Sequence, residues 1–446
     1  MKRVSLVLAG LLVPALVQAQ LSDPSTRALG MGGAYTTSAR GYEAVAWNPA
    51  MLAAAGRPSF SIDLPHVNLE FGSNAYGLSD VEKYSRAFLS DADKQTLLGK
   101  IKDSTLTIRS LLGVAPFGLS VGPFGLLVST AGQMNLGVGK DAVRLALYGN
   151  APRTGSSSVF TAKGSNGLAW AATTVAGSFA WPFQIPLGRL AVGATYKYVI
   201  GHFVGNATDL GTQVSFNPLF SATEAGQAIY TNYDSNCGKF SPFASGMCGG
   251  RAGSGYGVDL GGTLQLAGRS MTLSAVLVNV IGKMTWDQDR LFYSRTVRQN
   301  TQLASGTVQD TVLSQVTLQN AAAIGNDTSA SKLRSALLAN GDFAKLARAG
   351  VALRNGDLTL AADAQVRLKQ GLDQQPSQQL AVGAEYRVLG VLPLRAGLAS
   401  DFAGATAISG GVGLSVVGIN LDVSAADIFG STRPGVRVGF GLGLIF

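Results

Sequence analysis

The chain has 446 residues, 57 of them glycine, with 46% hydrophobic and 14% charged residues and a formal net charge of +9. The charged share is well below the roughly 25% of ordinary soluble domains, yet after the first twenty residues no stretch approaches the about 18 consecutive apolar residues of a spanning helix. These facts exclude an ordinary soluble globule and a helical membrane protein. The positive charge is scattered, with no basic run interleaved with aromatics, so nucleic acid is not an expected partner.

Lys2 and Arg3 precede an apolar run, Val4 to Val17, that ends in the small-residue pattern Val17-Gln18-Ala19. This predicts a secretory signal peptide over residues 1–19, with the mature chain starting at Gln20. Residues 20–58 show no strand pattern. They read Arg27-Ala28-Leu29-Gly30-Met31-Gly32-Gly33-Ala34 and then Trp47-Asn48-Pro49-Ala50-Met51-Leu52. Glycines permit tight backbone paths, and Asn-Pro marks a turn whose proline lacks a backbone donor. Such a segment ahead of a large barrel is expected to sit in the lumen as a plug, or hatch.

From residue 59 a period of two sets in. Val192, Ala194, Tyr196 and Tyr198 alternate with Gly193, Thr195 and Lys197. Tyr256, Val258 and Leu260 alternate with Asp259, Thr263 and Gln265. Leu358, Leu360, Ala362, Ala364, Val366 and Leu368 oppose Thr359, Asp363, Gln365 and Arg367. The two sets fall on opposite faces of a strand, and about ten residues is the length of a tilted membrane strand. Fourteen strands are predicted, near 59–71, 106–120, 124–134, 167–181, 189–202, 254–267, 270–280, 348–354, 357–369, 378–389, 392–402, 406–416, 418–426 and 433–446. Residues 140–149 are read as loop, with a strand as the alternative. The fold expected is all-β, a transmembrane antiparallel barrel over residues 59–446 with helical external loops.

An even strand count leaves both termini on the periplasmic side. Short turns such as Gly122-Pro123, Asn355-Gly356 and Gly418 then fall on that side. The long connections 72–105, 135–166, 203–253 and 281–347 fall outside. Two of these carry helical patterns. Ser90 and Asp93 look like a capping arrangement ahead of Leu97, Leu98 and Ile101. Leu333, Leu337, Leu338, Phe343 and Leu346 recur at helical spacing over 330–348, ringed by Lys332, Arg334, Lys345 and Arg348. Cys237 and Cys248 lie close together in a Gly/Ser-rich stretch; in an exported chain this favours a disulfide.

The last strand is the clearest. Val436, Val438, Phe440, Leu442, Leu444 and Phe446 share one face, and Gly435, Arg437, Gly439, Gly441 and Gly443 the other. Phe440, Leu442, Leu444 and the terminal Phe446 are read as the C-terminal signal for the barrel-assembly machinery, with outer-membrane lipid as the environment. No P-loop, His-Glu-x-x-His or Gly-x-Ser-x-Gly pattern occurs. His66 and His202 are far apart in sequence. No catalytic residue, metal or cofactor is expected, and lumen-side charges such as Asp363 and Arg367 are read as a charge network.

The Gly-rich opening, the Asn48-Pro49-Ala50 turn and the terminal phenylalanine together resemble the FadL outer-membrane transport superfamily, which includes long-chain fatty acid transporters, aromatic hydrocarbon transporters and PorV-type secretion proteins. The resemblance is concentrated in residues 26–53. It implies a fourteen-stranded barrel in the bacterial outer membrane, plugged by an N-terminal hatch to which Asn48, Pro49 and Ala50 belong, with Trp47 preceding them. It also implies passive uptake of a hydrophobic small molecule. Fatty acid transporters often carry adjacent acidic residues before the Asn-Pro-Ala turn, where this chain reads Ser38-Ala39-Arg40-Gly41-Tyr42-Glu43. The cargo therefore stays open. A PorV-like role docking secreted or envelope proteins, or a purely structural role, remains the alternative.

Overall fold

The computed structural model describes residues 25–85, 87–149, 159–216, 219–231, 251–268, 270–339, 341–373, 377–430 and 434–446. The expected signal peptide and the Cys237–Cys248 pair lie outside these residues. The described strands are β1 Phe60–Ser73, β2 Thr105–Val121, β3 Phe124–Gly139, β4 Val159–Thr161, β5 Asn166–Ile185, β6 Gly188–Asp209, β7 Gln213–Ser215, β8 Ser221–Thr231, β9 Gly253–Leu266 and β10 Met271–Trp286. They continue as β11 Leu291–Gln302, β12 Val308–Gln319, β13 Lys345–Asn355, β14 Leu358–Lys369, β15 Gln378–Val388, β16 Leu392–Ser400, β17 Ala405–Val416, β18 Ile419–Gly430 and β19 Gly435–Ile445.

Fourteen of these close an antiparallel barrel, in the order β1, β2, β3, β5, β6, β9, β10 and then β13 to β19. The ring shuts between β1 and β19, where Ile62 faces Leu444 and Val67 faces Phe440. All fourteen correspond to the segments expected from period-two alternation. Closure removes the free edges that an open sheet would carry. Two bulges in the first strands fall at prolines: the β1 register shifts between Leu64 and Val67, around Pro65, and the β2 register between Val114 and Phe117, around Pro116. Proline has no N–H to give the ladder, so it is tolerated at a bulge.

The barrel is apolar outside. Val438 and Phe440 of β19 are exposed, with Leu442 and Leu444 half-buried on the same face, while Gly439, Gly441 and Gly443 are buried on the other. Exposed aromatics gather at the short-turn end: Phe124, Trp181, Phe183, Tyr386 and Phe446. Phe124 and Phe179 stack across β3 and β5 with ring centroids 5.0 Å apart. An aromatic girdle beside an apolar band is the outer surface of a barrel that crosses a bilayer. Among the described residues no helix is long and apolar enough to cross a membrane.

At the other end the structure departs from the expected loops. β6 continues past the barrel to pair with β8, with Gly205 facing Tyr230. β8 also pairs with β7 and β11, and β11 with β12. The connections 203–253 and 281–347 thus carry an outer sheet in place of bare loops. β5, β6 and β10 accordingly run further than the ten residues a bilayer needs.

The helix expected over 330–348 is shorter: helices span Asn320–Asn326 and Thr328–Ala339. Leu333 and Leu337 are buried there as expected, but Lys345, Leu346 and Arg348 belong to β13, where β10 and β14 supply ladder partners on both sides. Residues 140–149, read as loop or strand, hold the helix Lys140–Tyr148. The helix Asp91–Lys100 forms where expected, with Ser90 accepting a hydrogen bond from the Asp93 N–H at 3.2 Å.

Candidate functional site

The interior is filled from both ends. Residues 25–54 lie in the barrel lumen as a series of short helical turns, and almost all are buried. Thr26–Gly30 forms the first turn, capped by Ser25, whose hydroxyl accepts from the Ala28 N–H at 3.2 Å. A side-chain oxygen there satisfies one of the orphan donors of a helix start. The chain then turns through Gly32 and Gly33, at φ +67° and +89°. At Gly32 a Cβ would also come within 2.9 Å of the Leu398 backbone nitrogen, so both conformation and space require glycine.

Arg27 is the hub of the sequence-predicted set. Its guanidinium is buried, 3.5 Å from the Glu43 carboxylate of the plug and 3.1 Å from Glu385 on β15. Glu385 also accepts from Arg395 on β16 at 2.8 Å and from Arg387 at 3.2 Å, and Arg395 reaches Asp422 on β18 at 2.6 Å. Three guanidiniums and three carboxylates therefore balance in one cluster, and only Arg387 is appreciably exposed. Ser25 Oγ donates to Glu43 at 2.6 Å, and the Tyr35 hydroxyl donates to the same carboxylate. A buried charge is tolerable only when paired and hydrogen-bonded in this way.

A second tether uses the plug backbone. Asp363 Oδ2 on β14 accepts from the N–H groups of Tyr35 and Thr36 at 2.8 and 2.7 Å. Arg367, expected in the same lumen charge network, lies four residues further along the strand, roughly 13 Å away and beyond direct pairing with Asp363. Gly30 presents its carbonyl to Ser409 Oγ at 3.2 Å, and Val45 presents its own to Thr195 Oγ1 at 3.0 Å.

Trp47, Asn48, Pro49 and Ala50 meet at the opposite wall. Asn48 Oδ1 accepts from the Ala50 N–H, and Asn48 Nδ2 donates to the Thr36 carbonyl, both at 3.1 Å. Pro49 opens the short 3-10 turn Pro49–Ala53, where a missing N–H costs nothing. The turn presses on bare backbone: a Cβ at Gly193 would lie 2.6 Å from the Ala50 nitrogen, and one at Gly261 3.0 Å from Pro49 Cδ. The period-two glycines of the wall are thus the seats of the plug. The same holds in β19, where a Cβ at Gly439 would meet Leu29 and one at Gly443 the Tyr42 hydroxyl. Trp47 stands edge-on to Tyr35 at 5.6 Å, and the Arg348 guanidinium lies 5.1 Å from the Trp47 ring centroid.

The outer mouth is closed by a different set of groups. Trp170, Val204, Ile229, Met284, Trp286, Leu291, Tyr293, Ile324, Leu333, Leu337 and Leu372 form one apolar cluster beneath the two outer helices. Both tryptophan N–H groups find carbonyls at 3.0 Å, Trp170 at Leu372 and Trp286 at Gly341. Asp342 pins the cap at its edge, accepting from the Met284 N–H at 2.7 Å and from Lys369 at 2.9 Å. Burial alone would raise the Asp342 carboxyl, but these two donors outweigh it and hold it below the usual carboxylate range.

Between cap and plug lies a cavity of about 150 Å³, lined by Ala28, Leu29, Gly33 and Trp47 of the plug and by Ala131, Ala399 and Ile428 of the wall, with Arg348 and Asp363 at its polar side. Arg27, Gly30, Gly32, Gly33, Trp47, Asn48, Pro49 and Ala50 all belong to the plug, but they are divided between its two walls. Sequence reasoning missed Glu43, Glu385, Arg395 and Asp422. For Glu385, Arg395 and Asp422 the signal was a charge at a lumen-facing position of an otherwise apolar or small strand; Glu43, on the plug turn Gly41–Glu43, had none of that kind. Among the described residues no group of three or more His, Cys, Asp or Glu side chains is placed to hold a metal. Cys237 and Cys248 lie outside the described residues.

The structure is similar to several solved structures, three of which follow. The toluene transporter TbuX of Ralstonia pickettii is 13% identical, with 94% of this chain and 98% of that chain covered and a TM-score of 0.46. The CymD monoaromatic hydrocarbon channel is 13% identical over 96% and 97%, with a TM-score of 0.47. A FadL homologue of Pseudomonas aeruginosa is 12% identical over 96% and 98%, with a TM-score of 0.45. No curated protein matches the sequence. A family model does: it matches residues 49–337, from the Asn-Pro-Ala turn to the outer helices, and the chain belongs to that family of unknown function, DUF5723.

Proposed function

We propose that the protein is a bacterial outer-membrane barrel for passive uptake of hydrophobic small molecules, fatty-acid-like or hydrocarbon-like. The observation that carries this reading is the cavity of about 150 Å³ set directly against the plug. Its volume is roughly that of an apolar cavity that holds one benzene-sized ring. Its lining mixes alanine, leucine, isoleucine and tryptophan with polar and charged groups that would orient a solute, among them Asn68, Gln365, Arg348, Asp363, Asp401 and Arg437. An apolar solute would enter through the apolar cap cluster, lodge above the plug and pass when residues 25–58 shift. No covalent bond breaks in that shift, because every tether described above is a hydrogen bond, an ion pair or a packing contact. The polar outer leaflet hinders apolar solutes, so a route past it is useful to a cell.

Uptake of labelled hydrophobic compounds by cells with and without the gene tests the reading. Faster uptake of a subset of the panel in gene-bearing cells is the expected result. Equal uptake of every compound would overturn it.

A second reading, docking of a secreted or envelope protein, is favoured by the ordered outer sheet. Among the described residues β12 pairs only with β11, and Val308, Val312 and Leu313 on it are exposed. An open edge of this kind accepts an added strand. Recovery of a stoichiometric partner from mildly solubilised membranes, lost on deleting residues 303–319, would support it.

A further inference from the structure

The lumen on the other side of the plug has the opposite chemistry. A cavity of about 630 Å³ opens between the inner face of the plug and the short-turn end of the barrel. Four arginines line it: Arg40 and Arg57 from the plug segment, Arg189 at the start of β6 and Arg354 near the end of β13. No aspartate or glutamate lines it. Among the described residues none of the four makes an ion pair, whereas the cluster around Arg27 balances its charges one for one.

The unmet hydrogen-bonding capacity is local too. Arg189 Nε donates to the Ala53 carbonyl at 3.1 Å, but Arg57 Nη1 is buried with no acceptor. The hydroxyls of Thr37 and Ser38, both on residues more than nine-tenths buried that line the same cavity, also lack partners. Like charges gathered around a low-dielectric wall repel one another and raise the potential inside the cleft. Such an arrangement is stable when a counter-charge occupies it.

We propose that this inner cavity is a binding site for a phosphate-type oxyanion. The guanidinium fork matches the edge of a phosphate or a carboxylate. Four arginines with no acidic side chain in the lining exceed what one carboxylate neutralises, and they suit a phosphate, whose charged non-bridging oxygens accept from more than one guanidinium. Thr37, Ser38, Thr359 and Gln265 add neutral polar groups to the lining. The site stands apart from the apolar cavity above the plug and does not depend on whether an apolar solute passes. Its ligand arrives from the inner side either as a free phosphate-bearing solute or as an anionic phospholipid headgroup of the inner leaflet; both present charged non-bridging phosphate oxygens.

The test uses the full barrel purified in a zwitterionic detergent and titrated with inorganic phosphate at fixed ionic strength, read by calorimetry. Saturable binding at one site per chain is expected. Arg40→Gln and Arg354→Gln should each weaken it at least about tenfold, the loss of one charged hydrogen-bonding partner. A second arm places the protein in nanodiscs of phosphatidylcholine alone or with phosphatidylglycerol. Protection of the inner cavity from arginine-directed labelling that requires the anionic lipid assigns the headgroup as the source. Protection by phosphate in either disc assigns the free solute. Non-saturable binding that is unchanged in both variants, with no protection in any disc, would overturn the proposal. Each variant is first checked for a folded barrel by its far-ultraviolet spectrum, so that loss of binding is not loss of fold.

Discussion

The plug and the cap close one lumen by different physics. The plug packs Met31, Tyr35, Val45, Trp47 and Leu52 against small wall residues such as Ala176 and Ala191, and adds to that packing charge and hydrogen bonds to the wall: Arg27 to Glu385, which Arg395 also engages, and Asp363 to two consecutive plug amides. The cap is held by an apolar cluster around Trp170, Trp286, Tyr293 and Leu337. A tether of ion pairs is directional and fails as a unit, because removing one member leaves its partners buried and uncompensated. An apolar cluster loses stability by increments, in proportion to the volume removed. The inner closure therefore has the character of a latch, and the outer closure that of a packed lid.

The largest expected effect comes from breaking the latch at its centre. Glu385→Ala leaves Arg27, Arg395 and Arg387 facing one another without their shared acceptor, a loss of about 3–5 kcal/mol. Hydrogen exchange of residues 25–54 should become fast while the cap helix Thr328–Ala339 stays protected, and conductance in planar bilayers should rise above that of the native barrel. Unchanged protection of the plug would show that its packing alone holds it. The reverse experiment is Leu337→Ala, which empties a fully buried position of the cap. It should cost about 2–5 kcal/mol locally and release the outer helices with the plug intact.

Two smaller changes sharpen how the plug is seated. Gly261→Val drives a branched side chain into Pro49 and the Asn48 side chain, where even a Cβ is crowded. Overpacking of this kind costs about 1–3 kcal/mol, and trypsin nicking of the segment 40–57 should report a displaced turn. Asn48→Ala loses both the capping bond to Ala50 and the link to Thr36, an effect of about 0.5–2 kcal/mol. If the two variants are equally resistant to nicking as the native chain, the Asn-Pro turn is not a seat of the plug.

The contrast between latch and lid also explains what the sequence made legible. All fourteen barrel strands were readable, because each must alternate between lipid and lumen and the alternation survives in the residues themselves. The plug segment stood out by lacking that alternation. The ion cluster was not readable: Arg27, Glu43, Glu385, Arg395 and Asp422 come from separate elements, and which lumen-facing charge meets which depends on strand register around the ring. The outer sheet was missed for a simpler reason. β11 and β12 lie outside the bilayer, so they need not present an apolar lipid face, and Arg295, Arg298 and Asp310 sit among their apolar residues. The helix over 330–348 was overextended because Leu346 and Arg348 fit a helical spacing as well as a strand, and only the neighbouring β10 and β14 decide between them.

The smallest effect separates the two closures by pH. Asp342 sits at the rim of the cap, and its donors Met284 N–H and Lys369 hold its carboxyl below the ordinary range against the opposing effect of burial. A carboxyl depressed in the native state contributes stability that is complete above its unfolded value, about 3.9. That contribution is lost as pH falls from there through the native value. Lys369 is half exposed, so its attraction is screened and the whole contribution is less than about 1 kcal/mol. Exchange of the cap helix should therefore be flat from pH 8 to about pH 5 and quicken only below about pH 4, and Asp342→Asn should remove that acid dependence while leaving the plug unchanged. A cap that loosens at neutral pH would mean that some group other than Asp342 fastens it.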